Sequence, residues 1–174
     1  MTRIAIATLG CKTNAYESAA IVGQFDGQDV LVVPFDEPAD LYIINTCTVT
    51  NRTDFKSRNL IRKALQQKAL NPLAKVIVTG CYAQRSPGEI AAMGGVDLIV
   101  DNQSKLDIAT ILREGSYQFG DIMNATEFSY RPVSSMVDRS RAFQKIQDGC
   151  DFYCAYCAIP YARGHNLSLI HISE

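Results

Sequence analysis

Five short apolar runs, most of them separated by helix-length segments, constrain the fold of this chain more than any other feature of its sequence. The apolar runs are residues 3–9, 30–33, 41–45, 75–79 and 96–100. Helices are predicted between and after them, at about residues 14–24, 53–70, 87–93 and 105–113. Continuous apolar runs of this length are typical of strands buried on both faces of a parallel sheet. The alternation therefore predicts an α/β domain with a flavodoxin-like or Rossmann-like parallel sheet.

Three cysteines follow three of these predicted strands. Cys11 follows the first strand, Cys47 the third and Cys81 the fourth, and we call them the sheet-edge cysteines. Ligands of an open parallel sheet bind beyond the carboxyl ends of its strands, and in the strand order 2-1-3-4-5 these three strands are neighbours. A single buried cysteine is common as a small apolar residue. Three at equivalent positions predict the ligands of one metal cluster.

A second set of three cysteines lies close together near the end of the chain. Cys150, Cys154 and Cys157 have the spacing C-x3-C-x2-C, and we call them the loop cysteines. Three thiolates favour an iron–sulfur cluster that keeps one iron free of protein ligands, because a structural zinc site normally takes four ligands. Zinc with a fourth ligand, from His165 or His171, and a disulfide with a spare thiol are the alternatives.

The composition fits a reducing compartment. The chain has 174 residues, enough for one domain and part of a second, and its six cysteines come without a signal-peptide core. No run approaches the roughly 18 apolar residues that span a membrane. We therefore expect a cytoplasmic protein without membrane contact. The formal net charge of −1 excludes a generally basic, nucleic-acid-binding surface.

Four motifs around the cysteines resemble those of a known family. They are Thr8-Leu9-Gly10-Cys11-Lys12-Thr13-Asn14, Ile44-Asn45-Thr46-Cys47-Thr48-Val49-Thr50, Thr79-Gly80-Cys81-Tyr82-Ala83-Gln84, and Gln147 through the loop cysteines to Gly164. Together they resemble the methylthiotransferases, radical S-adenosylmethionine enzymes that insert a sulfur and a methyl group at an unactivated carbon. The residues around the first two cysteines resemble the branch acting on threonylcarbamoyladenosine of tRNA, next to the anticodon. Branches acting on isopentenyladenosine in tRNA or on a ribosomal protein are the alternatives.

The resemblance implies two [4Fe-4S] clusters and S-adenosyl-L-methionine as cofactors. The loop cysteines would hold the cluster that generates a 5′-deoxyadenosyl radical, which removes hydrogen from C2 of the adenine. The sheet-edge cysteines would hold an auxiliary cluster that supplies the sulfur. Tyr156 matches an aromatic position near the cofactor adenine, and with Phe152 and Tyr153 is expected to lower the polarity around the first cluster. No catalytic side chain beyond these ligands is predicted.

The resemblance also implies the domain organisation and the partners. Residues 1–114 would form the domain of the auxiliary cluster, 115–140 a linker, and 141–166 the start of a truncated radical S-adenosylmethionine barrel of partial TIM type. Residues 142–146 alternate like a strand that leads into the cysteine loop. Residues 167–174 match nothing expected of the family and are predicted to be a non-native tail, so the chain is expected to be an inactive fragment.

The expected partners are tRNA, mainly through regions beyond this chain, and an electron donor such as flavodoxin or ferredoxin, with the protein itself a monomer. A basic face on the long predicted helix would either contact tRNA phosphates or be a solvated surface. Its residues are Arg52, Lys56, Arg58, Arg62 and Lys63. The competing class is a non-enzymatic iron–sulfur or zinc module, against which two separate three-cysteine sets argue, because electron carriers usually have all four ligands.

Overall fold

A five-stranded parallel sheet forms the centre of the computed structural model, which describes residues 1–27, 29–133 and 143–169. The strands are β1 (Thr2–Thr8), β2 (Val30–Val33), β3 (Leu41–Thr46), β4 (Lys75–Gly80) and β5 (Leu98–Ile99). They lie in the order β2-β1-β3-β4-β5, with every neighbouring pair parallel. The predicted α/β fold and the predicted strand order are both confirmed.

Six α-helices connect or follow these strands in the described residues. They are α1 (Lys12–Gly23), α2 (Asn51–Leu70), α3 (Cys81–Arg85), α4 (Pro87–Ala91), α5 (Ile108–Glu114) and α6 (Ile159–Arg163). The longest, α2, begins at a capping box in which the Thr50 side chain accepts from the Thr53 backbone and the Thr53 side chain accepts from the Thr50 backbone. The helix predicted at 105–113 begins instead as a 3₁₀ turn, Ser104–Asp107, and the predicted helix at 87–93 ends at Ala91.

The core lies on both faces of the sheet. On one face, Ile44 and Val78 pack with Ile61 and Ala64 of α2. On the other face, neighbouring strand residues pack with α1 and the segment around α5, in a cluster that includes Ile4, Ile21, Ile43, Ile77 and Ile108. All six residues of β3 are buried. Burial on both faces explains why β3 reads as a continuous apolar run rather than an alternating one.

The segment 143–169 forms a small unit beside the sheet. Strand β6 (Gln147–Asp148) pairs antiparallel with β7 (Leu167–Ser168), and the loop cysteines and α6 lie between them. The strand predicted at 142–146 is wrong in its described part, because residues 143–146 are irregular and pairing begins at Gln147. This two-stranded pair is the β-structure described in the segment, and it does not show the predicted barrel.

Parts of the predicted linker and tail also have defined positions. The 3₁₀ turn Ile122–Asn124 lies in the predicted linker, and Ile122 and Phe128 are buried. Within the predicted tail, β7 pairs with β6 and Ser168 is buried. Linker residues 134–140 and the first residues of the next predicted unit, 141–142, lie outside the described residues, as do tail residues 170–174. In the described part of the chain, no helix has the length and apolar character needed to cross a membrane.

Ile43 tests how much stability the centre of the sheet contributes. Its side chain is fully buried in β3, so Ile43→Ala leaves a cavity and is expected to lower the free energy of unfolding by about 2–5 kcal/mol. Leu73→Ala is the control, because Leu73 is 90% exposed and its truncation is expected to cost less than about 0.5 kcal/mol. Urea unfolding followed by circular dichroism measures both, and equal losses would contradict the assignment of the core.

Candidate metal centre at the sheet edge

The sheet-edge cysteines lie where three adjacent strands end. Cys11 is the N-cap residue of α1, three positions after β1. Cys47 follows β3 directly, and Cys81 follows β4 and begins α3. Because β1, β3 and β4 are neighbouring parallel strands, their carboxyl ends reach the same edge of the sheet. Cys47 and Cys81 are buried, whereas Cys11 is exposed.

The loops that carry these cysteines approach closely. A Cβ atom added at Gly10 would lie 2.8 Å from Cys47 Sγ, so the backbone before Cys11 nearly touches the Cys47 side chain. Burial raises the pKa of the Cys47 thiol; a backbone hydrogen bond from Val49 opposes this, and the nearby Cys81 and Cys11 sulfurs raise the pKa further. The three sulfurs thus share one electrostatic environment.

Gly80 allows the third loop to fit beside the second. It has φ +93°, and a Cβ atom at this position would lie 2.4 Å from the Thr46 carbonyl oxygen and 2.6 Å from the Thr46 nitrogen. A side chain here would collide with backbone, which cannot move aside without displacing β3. The positive φ adds to this requirement, because only glycine adopts it at little cost. Glycine before Cys81 therefore permits the close contact of the Cys47 and Cys81 loops.

A buried carboxylate with three cationic partners lies beside the sheet-edge cysteines. Glu17, on α1, is fully buried and forms ion pairs with Lys105, with Lys145 at 3.2 Å and with Arg163 at 3.0 Å. Arg163 also donates to both carboxylate oxygens of Asp148, at 2.8 and 2.9 Å. We call these five residues the Glu17 network. Its members come from four parts of the chain, which the network joins.

The charges of the network determine its protonation. Burial alone would raise the pKa of Glu17, but the nearby Lys105, Arg163 and Lys145 outweigh burial and hold it well below its usual range. The pKa of Asp148 is likewise lowered, because Arg163 and Lys145 outweigh burial. Both carboxyl groups are therefore ionised at neutral pH.

Two asparagines connect the Glu17 network to the cysteine loops. Asn14 accepts a hydrogen bond from Arg163 and donates to the carbonyl oxygens of Leu9, at 2.6 Å, and Thr46, at 3.0 Å. These two carbonyls lie just before Cys11 and Cys47.

On the Cys81 side, Asn102 accepts from Lys105 at 2.8 Å and donates to the Ala162 carbonyl oxygen. Its Nδ2 is 4.0 Å from Cys81 Sγ. All three cysteine loops are thus one side chain away from the network.

The loop cysteines lie in a more open environment. Cys154 is exposed, and Cys150 and Cys157 are half-buried. The Cys150 backbone N–H donates to the Gly164 carbonyl oxygen at 3.1 Å, and Cys157 donates to the Cys154 carbonyl oxygen at 2.9 Å. Both hydrogen bonds join residues of the same segment, so the cysteine loop is held by contacts within that segment.

The aromatic residues of this loop lie mostly at the surface. Phe152 is 87% and Tyr156 92% exposed, so in this chain neither covers the loop cysteines. Tyr153 packs edge-on against Tyr161, with ring centroids 5.9 Å apart, and has an unusual positive φ of 45°. The expectation that Phe152 and Tyr156 lower the polarity around the loop is not met by the described chain, and the predicted cofactor contact of Tyr156 stays a prediction.

The donor set fits an iron–sulfur cluster in its chemistry. Thiolates are the usual ligands of such clusters, and Arg163 and Lys105 are close enough to Cys81 for its sulfur to influence their pKa values. These cations would offset the negative charge of bound thiolates. Among residues 1–27, 29–133 and 143–169, however, no three His, Cys, Asp or Glu side chains are arranged to hold one metal ion. The assignment of all six cysteines as ligands therefore stays a prediction.

The basic face predicted on α2 is partly engaged within the chain. Arg58 donates to the Tyr82 hydroxyl at 3.1 Å and lies 3.8 Å from Glu89, and Lys63 forms an ion pair with Asp36. The remaining basic residues, Arg52, Lys56 and Arg62, are exposed. The face is therefore less free to bind phosphates than the sequence indicates.

Sequence reasoning identified the cysteines but missed the Glu17 network. Arg163 belongs to a motif quoted for the family resemblance, which is the signal that could have drawn attention to it. Glu17 carries no comparable signal, because its partners are between 88 and 146 positions away.

Comparison with known proteins finds one matching family and several similar proteins. Residues 3–101 match the uncharacterized protein family UPF0004. The threonylcarbamoyladenosine tRNA methylthiotransferase MtaB of Bacillus subtilis is 44% identical over 170 residues, which are 94% of this chain and 37% of the relative. The MtaB protein of Aquifex aeolicus is 39% identical over 93% of this chain and 40% of its own length.

A relative with another substrate in its name is less similar. The tRNA-2-methylthio-N(6)-dimethylallyladenosine synthase of Cereibacter sphaeroides is 30% identical over 95% of this chain and 39% of its own length. The chain thus spans well under half the length of the relatives it matches.

Gly80→Ala tests the close approach of the cysteine loops. Its added Cβ would collide with Thr46, and its positive φ would be strained, so we expect a loss of at least about 2–3 kcal/mol in the free energy of unfolding. Gly27→Ala is the matched control, because Gly27 has φ +78° and nothing within 4 Å of an added Cβ. The control reports the strain alone. A loss no greater than that of the control, in urea unfolding, would show that the contact is unimportant.

Acidification tests the Glu17 network. The pKa of Glu17 is lower in the folded than in the unfolded chain, so the unfolded state binds more protons and stability falls as pH drops below the ordinary glutamate pKa of about 4.3. In metal-free, reduced protein, urea unfolding at pH 6 and pH 3 should show this loss. Glu17→Gln should be destabilised at pH 6 and lose less on acidification, whereas the exposed Glu114→Gln should behave as wild type. The same pH dependence in all three proteins would contradict the prediction.

Proposed function

The chain belongs to the uncharacterized protein family UPF0004, and because its MtaB relatives are named tRNA methylthiotransferases, we propose that it is part of such an enzyme. The reaction would add a methylthio group to C2 of N6-threonylcarbamoyladenosine, next to the anticodon. The chain spans 37% and 40% of the two MtaB relatives, so this activity is proposed for the complete protein. Residues 1–114 would contribute the domain of the auxiliary cluster, and the segment from 141 onward the start of the radical S-adenosylmethionine domain.

One observation carries the proposal. Three adjacent parallel strands bring Cys11, Cys47 and Cys81 to one sheet edge, and the segment of the loop cysteines packs on the same edge through Arg163. A binding module for a single metal would need only one of these sets. Two three-thiol sets in one packed unit suit a reaction that needs two clusters, each with an iron free of protein ligands.

The loop cysteines would hold one [4Fe-4S] cluster, beside which S-adenosyl-L-methionine binds, and the sheet-edge cysteines would hold the other. When bound, these groups supply radical abstraction of hydrogen and the sulfur that is inserted. The chain itself binds and orients them. Buried cations of the Glu17 network offset thiolate charge near Cys81, and burial of Cys47 and Cys81 keeps solvent away from their sulfurs.

The substrate is inferred from the pattern of similarity. Relatives named for threonylcarbamoyladenosine are 44% and 39% identical, against 30% for the relative named for dimethylallyladenosine. The residues flanking Cys11 and Cys47 support the same branch. The partners would be tRNA and a low-potential electron donor such as flavodoxin or ferredoxin, in the cytoplasm. The exposed Arg52, Lys56 and Arg62 of α2 would add phosphate contacts to those made by the rest of the protein.

Iron content tests the two-cluster site. After anaerobic reconstitution, this chain should bind iron and acid-labile sulfide, and Cys11→Ala/Cys47→Ala/Cys81→Ala should bind about half as much. A triple variant of the loop cysteines should also lose about half, and added S-adenosylmethionine should perturb the electron paramagnetic resonance spectrum only where the loop cysteines are intact. An unchanged iron content in the first variant would contradict the assignment of an auxiliary cluster to the sheet-edge cysteines. Zinc in place of iron would contradict the assignment of both clusters.

Nucleoside analysis tests the substrate. Cells of the source organism that carry Cys150→Ala in the complete protein should lose methylthio-threonylcarbamoyladenosine and accumulate its unmodified precursor in tRNA digests. Loss of methylthio-isopentenyladenosine instead would assign the protein to the other tRNA branch. Unchanged tRNA would contradict the proposed reaction while leaving the cluster assignment to the iron measurement.

A further inference from the structure

Arg163 joins the loop cysteines to the sheet domain. It ends α6, six positions after Cys157, and is buried with its guanidinium against Glu17 and Asn14 of α1. One nitrogen, Nη1, contacts both Glu17 and Asp148, while Nη2 donates to Glu17 and Asn14. This forked arrangement uses the planar shape of arginine, which a lysine ammonium cannot reproduce.

The contacts of Arg163 lead to both cysteine sets. Toward the sheet edge, Arg163 donates a hydrogen bond to Asn14. Asn14 in turn donates to the carbonyl oxygens of Leu9 and Thr46, close to Cys11 and Cys47. Toward the loop, the next residue, Gly164, accepts the hydrogen bond from the Cys150 backbone. A displacement of Arg163 would therefore move one cysteine set relative to the other.

The helix that carries Arg163 also covers the third sheet-edge cysteine. Helix α6 packs against α3, which begins at Cys81. Asn102 donates to the Ala162 carbonyl oxygen in α6 and lies 4.0 Å from Cys81 Sγ. Cys81 is buried, with 8% of its surface exposed. Release of α6 from the sheet domain would uncover it.

We propose that Arg163 and Glu17 are positioning residues that hold the loop-cysteine segment in a fixed place against the sheet-edge cysteines, so that the two sets form one composite site. The inference deepens the proposed function and takes its chemical meaning from it. The radical chemistry at one cysteine set and the sulfur supplied at the other would have to act on the same substrate carbon, so the protein must fix the separation of the two sets. The positioning itself is a property of this chain and is tested without cofactor.

Arg163→Lys tests the positioning, because it keeps the charge and removes the fork. Hydrogen exchange of the reduced, metal-free chain, followed by mass spectrometry, should be at least about tenfold faster in peptides covering residues 147–168. Peptides of β3 and β4 should be unchanged. Arg113→Lys is the matched control, since Arg113 is exposed on α5 and its side chain donates to Thr110 on the same helix.

Alkylation of individual cysteines reports on the coupling between the two sets. In Arg163→Lys, iodoacetamide should label Cys81 at least about fivefold faster, because α6 no longer covers it. Cys154, which is exposed already, should react at the same rate in every variant and serves as the internal reference. Glu17→Gln should give the same pattern from the other side of the contact, with a larger effect, because it leaves three cations without their shared carboxylate.

Two results would overturn the proposal. Unchanged exchange in residues 147–168 in both Arg163→Lys and Arg163→Met would show that other contacts hold the segment. Equal acceleration in β3, β4 and the loop segment would show that Arg163 serves global stability alone. If the iron measurement contradicts the two clusters, the hydrogen-exchange and alkylation results in metal-free protein still test the positioning. Failure of the proposed function can therefore be distinguished from failure of the positioning.

Discussion

The charge of Glu17 must be neutralised inside the protein, because its side chain has no access to solvent. An isolated buried carboxylate would be far too costly, whereas one paired with several donors is stable. Lys105, Lys145 and Arg163 supply the pairing, and each comes from a different part of the chain. The position of α1, the turn that precedes α5, and the loop-cysteine segment therefore depend on one carboxylate.

The sheet edge adds a second constraint, which acts through backbone rather than charge. Parallel strands place all their carboxyl ends on one side, so the loops after β1, β3 and β4 compete for the same space. Gly10 and Gly80 relieve this crowding, because a Cβ atom at either would meet atoms of the β3–α2 loop or of β3 at under 3 Å. Close packing of these loops is what brings three cysteines from distant positions into one electrostatic environment.

The sheet was predictable from sequence because its signal is local. Burial on both faces makes β3 and most of β4 continuous apolar runs, and the order of the strands is the one expected for a flavodoxin-like sheet. The prediction weakened where tertiary contacts decide the outcome. Strand β5 has only two residues, and just before it the Asp97 side chain accepts hydrogen bonds from the Val76 backbone and from Lys68. Helix α3 is five residues long, too short to show a helical period.

The candidate site likewise has a part that the sequence predicts and a part that depends on tertiary contacts. The cysteines stand out in the sequence by type and spacing, whereas Glu17 is one polar residue on a helix with little amphipathic pattern. Its importance comes from partners that only folding brings near, at separations of 88 and more positions. The burial of Arg163, the direction of its fork and the surface position of Tyr156 were likewise beyond sequence reasoning. Each depends on packing between segments that the sequence does not connect.

The distance along the chain between Glu17 and Arg163 has a consequence for synthesis on the ribosome. Domains begin to fold as they emerge, at about 5–20 residues per second, and 146 positions separate these two residues. The sheet is complete after β5, when Lys105 alone is about to become available for Glu17. Until Arg163 emerges, the nascent domain holds a carboxylate with only part of its final pairing. The last segment described in this chain is therefore the one that completes the charge pairing of a carboxylate on its first helix.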